Sequence, residues 1–338
     1  MLHSTEIEQY LTATLAGINL PMLPCCHRGK VRDSFDLADG SRIVVVTDRL
    51  SVFDKVIGCI PFKGQILNQT ALHWFQKTAD IVANHVRVVI DPNVVVVERL
   101  AMIPIEIIVR AYMAGTSRTS LWTLYKAGAR TLYGLHFPNG IRVNHQLPQP
   151  VITPTTKGAM HDTPISAADI LAHGMLSAEQ WEQIADVAMR LFARGSAIAR
   201  RHGLILADTK YEFGFTADGR LMVADEIHTP DSSRYWLSNS YEDRLSREQN
   251  PESLDKDFAR SWVIARCDPY HQSIPTLPPE MAVAFSHRYV SLYETVTGLT
   301  FVPPPLHPTT STRVQASIKH YCATASLCPS LCAASSKK

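Results

Sequence analysis

This chain has no long apolar segment, no run of basic residues and no secretory leader pattern. No stretch approaches the ~20 uncharged apolar residues of a membrane-spanning helix, so we expect no membrane partner. The basic residues are dispersed and the net charge is +2, which gives no support for nucleic-acid binding. The N-terminal residues lack a charged region followed by an apolar one, so a cytoplasmic location is expected.

The seven cysteines form no CxxC motif and no metal-binding pattern with histidine. Cys25 and Cys26 are adjacent, Cys59 and Cys267 stand alone, and the other three fall near the C-terminus. An odd number of cysteines in this arrangement favours reduced thiols over a disulfide framework or a zinc site.

The general nucleotide-binding signatures are also missing, because neither a Walker A sequence nor GxGxxG occurs. Instead, Gly29 and Lys30 stand at the entrance of a predicted hairpin that turns at Asp39-Gly40. Kinases cover ATP phosphates with a glycine-containing hairpin and a lysine. An ordinary hairpin entrance explains the same two residues, so by themselves they carry little weight.

The segment richest in chemical groups is a second predicted hairpin, residues 204–227. A two-residue turn at Asp218-Gly219 would pair Ala217 with Arg220, and counting outward places Glu212 opposite Asp225. Two acids directly opposite each other repel unless a cation lies between them. Oxygen ligands suit Mg²⁺ that arrives with nucleotide phosphates, although two solvated acids on an exposed hairpin are the alternative.

Side chains alternate across a strand, so this hairpin has two different faces. Asp208, Lys210 and Glu212 share one face, and the aromatic residues at 211, 213 and 215 share the other. We expect the first face to carry the chemistry and the second to join the core. Lys210 could contact a phosphate or balance the acids on either side of it.

A polar loop follows the hairpin. Its acid, hydroxyls and guanidinium could together bind a phosphate or a carboxylate. The alternative is a short helix that starts at Pro230 and continues through Trp236. The polar residues of this loop are Asp231, Ser232, Ser233 and Arg234.

A chain of 338 residues is long enough for two lobes. Hydropathy predicts an antiparallel sheet in the first lobe and a mixture of helices and strands from Ile105 on, with a capping box where Ser177 and Gln180 begin a long helix. After residue 302 the composition loses its acids, which predicts a disordered tail. The predicted elements are helices at 5–15, 65–77, 177–201, 255–265 and 279–297 and strands at 42–47, 86–90 and 94–98.

Eight short motifs occur in the order typical of the phosphoribosylaminoimidazole-succinocarboxamide synthase (SAICAR synthetase) family, and the chain resembles that family from about residue 20 to 302. Each motif alone is unspecific, but the ordered set is specific. The motifs are GKVRD (29–33), TDRLSVFD (47–54), PFKG (61–64), VRAYMAGT (109–116), ITPTTK (152–157), HD (161–162), ADTKYEFG (207–214) and DEIHTPDSSRYW (225–236).

The resemblance implies an ATP- and Mg²⁺-dependent ligation of L-aspartate to carboxyaminoimidazole ribonucleotide in purine biosynthesis. A carboxylate is a poor acyl donor, so ATP would first convert it to an acyl phosphate. The implied fold is α+β and two-lobed, related to ATP-grasp enzymes, with antiparallel sheets, flanking helices and ATP between the lobes. We expect an ATP-covering lobe at 1–108, a substrate and metal lobe at 109–302 and a disordered tail at 303–338.

The resemblance also implies roles for individual residues. Those expected at ATP are Gly29, Lys30, Val31, Arg32 and Lys210. Those expected at Mg²⁺ are Glu212 and Asp225. Those expected to bind the nucleotide substrate are Arg110, Thr116, Ser117, Ser232, Ser233 and Arg234. Those expected to take part in catalysis are Asp208, Lys210 and Asp231.

Two loops and two departures carry less weight. The loop with Asp48 and Arg49 could lie near the nucleotide or be a capped turn, and the loop with His161 could close over substrate or be flexible surface. The family commonly has glycine at Ala111 and lysine at Gln146.

Other hypotheses are another ATP-dependent carboxylate–amine ligase, a small-molecule kinase, or a binding protein without turnover. The oligomeric state is not predicted.

Overall fold

A computed structural model describes residues 2–23, 27–158, 162–254 and 256–325. The chain forms two compact units. Unit 1 comprises Met1–Leu72, His85–Leu100 and Ala259–Lys338, and unit 2 comprises His73–Asn84 and Ala101–Phe258. Both units are discontinuous in sequence, which differs from the contiguous lobes expected at 1–108 and 109–302.

The strands give both units antiparallel sheets. In chain order they are β1 (His27–Arg28), β2 (Arg32–Asp36), β3 (Arg42–Val46), β4 (Arg49–Val52), β5 (Lys55–Cys59), β6 (Val86–Asp91), β7 (Val94–Val97), β8 (Ala101–Met102), β9 (Ile105–Tyr112), β10 (Thr131–Leu132), β11 (Leu135–His136), β12 (Gln146–Ile152), β13 (Thr155–Thr156), β14 (Thr163–Pro164), β15 (Leu204–Phe215), β16 (Leu221–Ala224) and β17 (Ser233–Leu237).

The helices flank these sheets, so the predicted α+β class is confirmed. In chain order they are α1 (Ser4–Glu8), α2 (Lys63–Lys77), α3 (Leu121–Lys126), α4 (Ala167–Ala172), α5 (Ala178–Arg201), α6 (Ser238–Ser246), α7 (Asp257–Ile264), α8 (Pro279–Thr297) and α9 (Thr310–Thr324). Within the described ranges no helix is long and apolar enough to cross a membrane.

Unit 1 is built on a five-stranded sheet in the order β1-β2-β3-β7-β6. The predicted β2–β3 hairpin is confirmed, with Arg32 paired to Val46 and Asp36 paired to Arg42. Gly40 closes its turn at φ +80°, a conformation that glycine adopts without steric cost. The cross-strand partners Phe35 on β2 and Ile43 on β3 are buried in the core of this unit.

The expectation of a disordered tail is wrong for residues 310–324, which form α9. Three of its residues, Val314, Ile318 and Cys322, are fully buried in the core beneath the five-stranded sheet. The Arg313 guanidinium donates to Asn93 Oδ1 at 2.8 Å and pairs with the Asp91 carboxylate at 2.5 Å. The acid-free composition concealed an apolar stripe at helical spacing. Residues 326–338 lie outside the described ranges.

Unit 2 is built around β9 and β15, which pair antiparallel through the middle of a larger sheet. The opposite edge of β15 pairs with two strands in succession. β17 covers it up to Thr209 and β16 covers it from Glu212 onward. The chain between β16 and β17 therefore leaves the sheet after Ala224 and rejoins it at Ser232, whose carbonyl accepts from the Lys210 amide at 3.0 Å. This interruption positions the candidate site.

The longest helix of unit 2, α5, packs against β15. It begins as predicted, because the Ser177 hydroxyl accepts from the Gln180 amide at 3.1 Å and the Gln180 side chain accepts from the Ser177 amide at 2.9 Å. This reciprocal pair satisfies two N–H groups at the helix N-terminus. The predicted N-terminal helix is shorter than expected, since α1 ends at Glu8.

Candidate active site

The strand β15 carries the predicted separation of faces. Tyr211 and Phe213 are buried, with at most 1% of their surface exposed, whereas Phe215, which was predicted to share their face, is only half-buried. The charged side chains of Asp208, Lys210 and Glu212 instead contact other charged side chains. One strand therefore supplies both a core face and a charged face.

The predicted register of the hairpin is wrong by one residue. Glu212 pairs with Ala224, not with Asp225, and Phe215 pairs with Leu221. The Thr216 amide donates to the Arg220 carbonyl at 3.0 Å, so three residues rather than two form the loop. Gly219 has φ +82°, the left-handed position that commonly closes a three-residue hairpin loop.

Asp225 nevertheless reaches the charged face of β15. It follows the last residue of β16 and has φ +62°, so the chain turns out of the ladder at this point. Its carboxylate lies 3.7 Å from the Lys210 ammonium, which also donates to Glu212 Oε1 at 2.5 Å. Both acids therefore converge on one cation, by a backbone turn and not by cross-strand pairing.

We call this group the carboxylate cluster. Lys210 also donates to Glu106 Oε1 at 3.0 Å, and Lys157 pairs with the second oxygen of Glu212. The five members are Glu106, Lys157, Lys210, Glu212 and Asp225. Sequence reasoning missed Glu106, whose signal was a single acid within the apolar strand β9.

Ionisation within the carboxylate cluster follows from its packing. Burial acts to raise the pKa of Glu212, but the ammonium groups of Lys210 and Lys157 outweigh it and lower that pKa to about 2. Burial acts to lower the pKa of Lys210, but Glu212, Glu106 and Asp225 outweigh it and hold that pKa well above its usual value. These acids therefore favour the charged form of Lys210, which suits contact with phosphate.

A second group, the arginine cluster, crosses three adjacent strands. Asp208 on β15 is the Cα partner of Arg110 on β9 and of Arg234 on β17. Arg110 donates to Asp208 at 3.1 Å and to the Thr153 hydroxyl at 2.8 Å. Arg234 pairs with Asp208 and, through a second edge of its guanidinium, with Asp257.

Two partners in this region were not predicted from the sequence. Asp257 binds Arg234 through both carboxylate oxygens, one of them at 3.3 Å. Lys256 lies 3.4 Å from the predicted catalytic residue Asp231. Each lies more than twenty residues in sequence from the charged side chain that it pairs with, so no local motif marked it. They complete the charge balance of the arginines and acids that motif reasoning selected.

The loop between β16 and β17 is not the short helix considered as an alternative, because residues 233–237 form a strand. The Ser232 hydroxyl accepts from the Thr229 amide at 3.1 Å, and the Ser233 hydroxyl lies 2.7 Å from the Thr209 hydroxyl. The first contact lies within the loop, and the second holds the end of the loop against β15.

Two of the predicted substrate residues lie on the loop between β9 and α3. Thr116 is exposed and Ser117 is half-buried on the loop after β9, where the Ser117 carbonyl accepts from the Ser120 hydroxyl at 2.8 Å. Their assigned role stays a prediction. His161 lies outside the described residues.

In unit 1, the predicted nucleotide residues Gly29, Lys30, Val31 and Arg32 span the turn from β1 to β2. The exposed Lys30 ammonium pairs with the exposed Asp54 carboxylate. Arg49 donates to the carbonyls of Gly29 at 2.8 Å and of Lys30 at 3.1 Å. The backbone of this turn is therefore held from inside unit 1, and the Lys30 side chain is left at the surface.

Asp48, the neighbour of Arg49 in the same predicted loop, also forms hydrogen bonds with the backbone. Asp48 accepts from the amides of Leu15 at 2.7 Å and Gly64 at 2.8 Å. Burial raises the pKa of Asp48 to about 6, although these amides and the charges of Lys63 and Arg313 act to lower it. The side chain of Asp48 is thus an internal anchor of unit 1.

The sequence and the fold of this chain are similar to those of known proteins. Residues 25–277 match the SAICAR synthetase family. A Mesorhizobium japonicum protein that bears a provisional assignment as phosphoribosylaminoimidazole-succinocarboxamide synthase 2 is 52% identical over 310 residues, covering 91% of this chain and 99% of that protein. The phosphoribosylaminoimidazole-succinocarboxamide synthase of Legionella pneumophila strain Lens is 47% identical over 296 residues, covering 87% and 95%. The solved SAICAR synthase of Saccharomyces cerevisiae, complexed with SAICAR, has a TM-score of 0.74 and 29% identity, covering 85% and 99%.

Proposed function

Because this chain belongs to the SAICAR synthetase family, we propose that it joins L-aspartate to the carboxylate of carboxyaminoimidazole ribonucleotide at the expense of ATP. The single observation that carries this proposal is that β15 brings a carboxylate cluster and an arginine cluster onto one charged face. ATP-dependent activation of a carboxylate needs cations that contact phosphate oxygens and guanidinium groups that bind anionic substrates through two N–H bonds. The lysines of the carboxylate cluster supply the first, and the arginine cluster supplies the second.

The reaction has two steps, and neither requires a protein nucleophile. A carboxylate oxygen of the imidazole nucleotide attacks the γ-phosphorus of ATP, so that an acyl phosphate forms and ADP leaves. The amine of aspartate then attacks the acyl carbon, loses a proton and expels phosphate, leaving the amide. Positioning and charge neutralisation supply most of the acceleration in phosphoryl transfer.

The arginine cluster suits the anionic groups of the imidazole nucleotide. The guanidinium groups of Arg110 and Arg234 already grip carboxylates in this structure, with Asp208 between them. A carboxylate of the substrate presents the same planar pair of oxygens, and two oxygens of a tetrahedral phosphate can also accept both N–H groups of a guanidinium. We assign substrate binding to these arginines and assign to Asp208 the role of holding them side by side.

The remaining predicted residues fit roles around the amine and the loop. Asp231 carries a mostly buried carboxylate whose ammonium partner, Lys256, is 3.4 Å away. It is suited to contact the aspartate amine and accept its proton. Ser232 and Ser233, together with Thr116 and Ser117, are assigned hydroxyl contacts to the nucleotide substrate.

The carboxylate cluster suits a magnesium ion. Glu212 and Asp225 both point at one positive charge, the Lys210 ammonium, so a single divalent cation could satisfy both acids. Among the described residues no group of three or more histidine, cysteine or acidic side chains is arranged to hold a metal. Proteins usually bind Mg²⁺ through one or two carboxylates, and phosphate oxygens and water complete its coordination. When bound, Mg²⁺ would neutralise phosphate charge during the transfer.

In unit 1, we assign ATP contacts to the turn formed by Gly29, Lys30, Val31 and Arg32. Its backbone is held by Arg49, and its lysine extends to the surface, where a phosphate can replace Asp54 as the partner. The relation to ATP-grasp enzymes and the cytoplasmic location stay predictions.

Omitting one substrate at a time from an assay of ADP release tests the reaction. With the full chain, ATP and Mg²⁺, we expect sustained release of ADP and phosphate, together with the succinocarboxamide product, only when the imidazole nucleotide and aspartate are both present. A small-molecule kinase would consume ATP with its acceptor alone and yield a stable phosphorylated product. That outcome would replace the ligase proposal with the kinase alternative.

Replacing Asp225 by Asn tests the metal assignment. The amide keeps the size of the side chain but removes its charge, so we expect the Mg²⁺ concentration for half-maximal activity to rise about ten-fold or more. Asp186→Asn is the matched control, because Asp186 forms an exposed pair with Arg190 on α5. An unchanged Mg²⁺ requirement in Asp225→Asn would remove Asp225 from the metal site.

A further inference from the structure

The loop between β16 and β17 reaches both faces of β15. It leaves the sheet after Ala224, the partner of Glu212, and returns to it at Ser232, whose carbonyl accepts from the Lys210 amide at 3.0 Å. Near its start, Asp225 turns to Lys210 on the charged face. Three residues later, His228 turns to Tyr211 on the core face. The loop is therefore held at a point directly behind the carboxylate cluster.

His228 is locked in place by its surroundings. Its side chain is fully buried, and its Nε2 lies 2.5 Å from the Tyr211 hydroxyl. The Trp74 ring meets it edge-on, with centroids 4.6 Å apart. On the α5 side, a Cβ added to Gly195 would lie 2.4 Å from His228 Cε1. Only glycine on the helix leaves room for this imidazole.

The backbone around His228 requires such support. Asp225 and His228 have φ values of +62° and +54°, a region that residues other than glycine seldom occupy. Conformations of this kind persist only where surrounding contacts impose them. The Tyr235 hydroxyl adds one such contact by donating to the His228 carbonyl at 2.8 Å.

We infer that His228 is a positioning residue, whose contacts with Tyr211 and Gly195 hold the loop in the conformation that directs Asp225 onto the charged face of β15. This inference rests on the proposed function, since it gives importance to where Asp225 points. Arg234 depends on it less, because the β15–β17 ladder holds that residue independently.

The anchor works by shape and one hydrogen bond rather than by charge. Burial lowers the pKa of His228 to about 3, so the imidazole is neutral at physiological pH. Burial also raises the pKa of Tyr211 well above its usual value, so its hydroxyl stays protonated. The contact between them is a neutral hydrogen bond, which a phenylalanine at position 211 would remove while keeping the ring.

Two variants loosen the anchor without touching the charged residues. Tyr211→Phe removes the hydroxyl partner of His228. Gly195→Ala displaces the imidazole, although alanine is the better helix former and by itself would stabilise α5. Tyr125→Phe is the matched control, because it removes another buried tyrosine hydroxyl of unit 2, bonded to the Pro138 carbonyl at 2.7 Å.

The primary readout is hydrogen–deuterium exchange of peptides that cover residues 225–232 in the full chain without substrates. We expect faster exchange in Tyr211→Phe and Gly195→Ala and unchanged exchange in Tyr125→Phe. The second readout is Mn²⁺ binding in the presence of ADP, measured by electron paramagnetic resonance. We expect the dissociation constant to rise about five-fold in Tyr211→Phe, the usual effect of one lost buried hydrogen bond.

The two proposals fail in different ways. If Asp225→Asn weakens Mn²⁺ binding while both anchor variants, folded, leave loop exchange and Mn²⁺ binding unchanged, the positioning role of His228 is wrong and the metal assignment stands. If the anchor variants speed loop exchange but neither they nor Asp225→Asn weaken Mn²⁺ binding, the metal assignment is wrong. If Gly195→Ala only raises the melting temperature, the glycine serves neither the anchor nor the site.

Discussion

Unit 1 and unit 2 each carry buried charges in a segment that the family motifs selected, but the charges are used differently. In unit 1, Asp48 accepts two backbone amides, and Arg49 donates to the carbonyls of Ala16, Gly29 and Lys30. In unit 2, Asp208 and Glu212 bind the ends of arginine and lysine side chains.

The difference separates an anchor from a site. A charge bonded to backbone cannot exchange its partner without opening the fold around it, since the orphaned backbone group would be left buried. A charge bonded to another side chain can exchange that partner for a phosphate, a carboxylate or a metal by rotamer changes alone. We therefore expect substitutions in the first segment to reduce stability and substitutions in the second to reduce activity.

Arg234→Lys is the most sensitive test of the expectation that substitutions in the unit 2 segment reduce activity rather than stability. Lysine keeps the positive charge near Asp208 and Asp257 but loses the planar fork, so we expect kcat/KM for the imidazole nucleotide to fall about a hundred- to a thousand-fold. The KM for ATP should change far less. Steady-state kinetics with each substrate varied in turn measures both.

Arg247→Lys is the control for that variant, because Arg247 forms an exposed pair with Asp243 on the same unit. The unfolding midpoint of Arg234→Lys should stay close to that of the control. A large loss of stability with little loss of activity would mean that Arg234 is an anchor like Arg49, and the contrast between the units would fail.

Arg49→Lys is the reciprocal experiment in unit 1. Lysine keeps the charge beside Asp33 but cannot reach three backbone carbonyls at once, so we expect the free energy of unfolding to fall by about 4 kcal/mol. Urea denaturation measures it, with Arg42→Lys on the half-exposed Asp36 pair as control. An equal effect in the two variants would show that the backbone contacts of Arg49 contribute little.

The two buried acids should respond to pH with opposite sign. The raised pKa of Asp48 means that its protonation stabilises the fold below about pH 4 and that this contribution, about 3 kcal/mol, is lost as pH rises through about 6. The lowered pKa of Glu212 means that its contribution is present above about pH 4.5 and is lost only as pH falls towards about 2.

Asp48→Asn and Glu212→Gln isolate these contributions. Compared with the unmodified chain, Asp48→Asn should flatten the fall in unfolding free energy between pH 4 and 7, whatever its absolute stability. Glu212→Gln should leave that range unaltered and change the slope below pH 4.5. Denaturation at a series of pH values measures both, and an unaltered slope in Asp48→Asn would mean that its two amide partners keep the acid ionised.

Local sequence signals predicted what depends on local physics. The β2–β3 hairpin, the capping box of α5 and the alternation along β15 follow from turn chemistry and side-chain periodicity, and all were found. The register of the β15–β16 hairpin was missed because Asp218-Gly219 fits a two-residue turn as well as a three-residue loop that ends in a left-handed glycine. One residue of difference moved Asp225 off the predicted pairing.

Long-range partners could not be predicted, because nothing local marks them. Glu106 and Asp257 join the clusters only through strand pairing and the return of the chain at α7, about one hundred and about twenty residues from their partners. The helix α9 was missed for a related reason: Val314 and Ile318 form an apolar stripe whose role becomes clear only when the sheet that it packs against is known. The motifs selected the right strand, and tertiary pairing supplied the rest.

Lys30 sharpens the comparison from within unit 1. Unlike Arg49, its side chain pairs with another exposed side chain, Asp54, so by the same reasoning it belongs with the exchangeable charges. Lys30→Met should leave the unfolding midpoint unchanged and raise the KM for ATP about five-fold, the effect of one charged phosphate contact at an exposed position. Lys55→Met is the control, because Lys55 donates to the carbonyl of Pro269 at 3.0 Å. If Lys30→Met destabilised unit 1 and left the KM for ATP unaltered, the kind of partner that a charge has would not distinguish an anchor from a site.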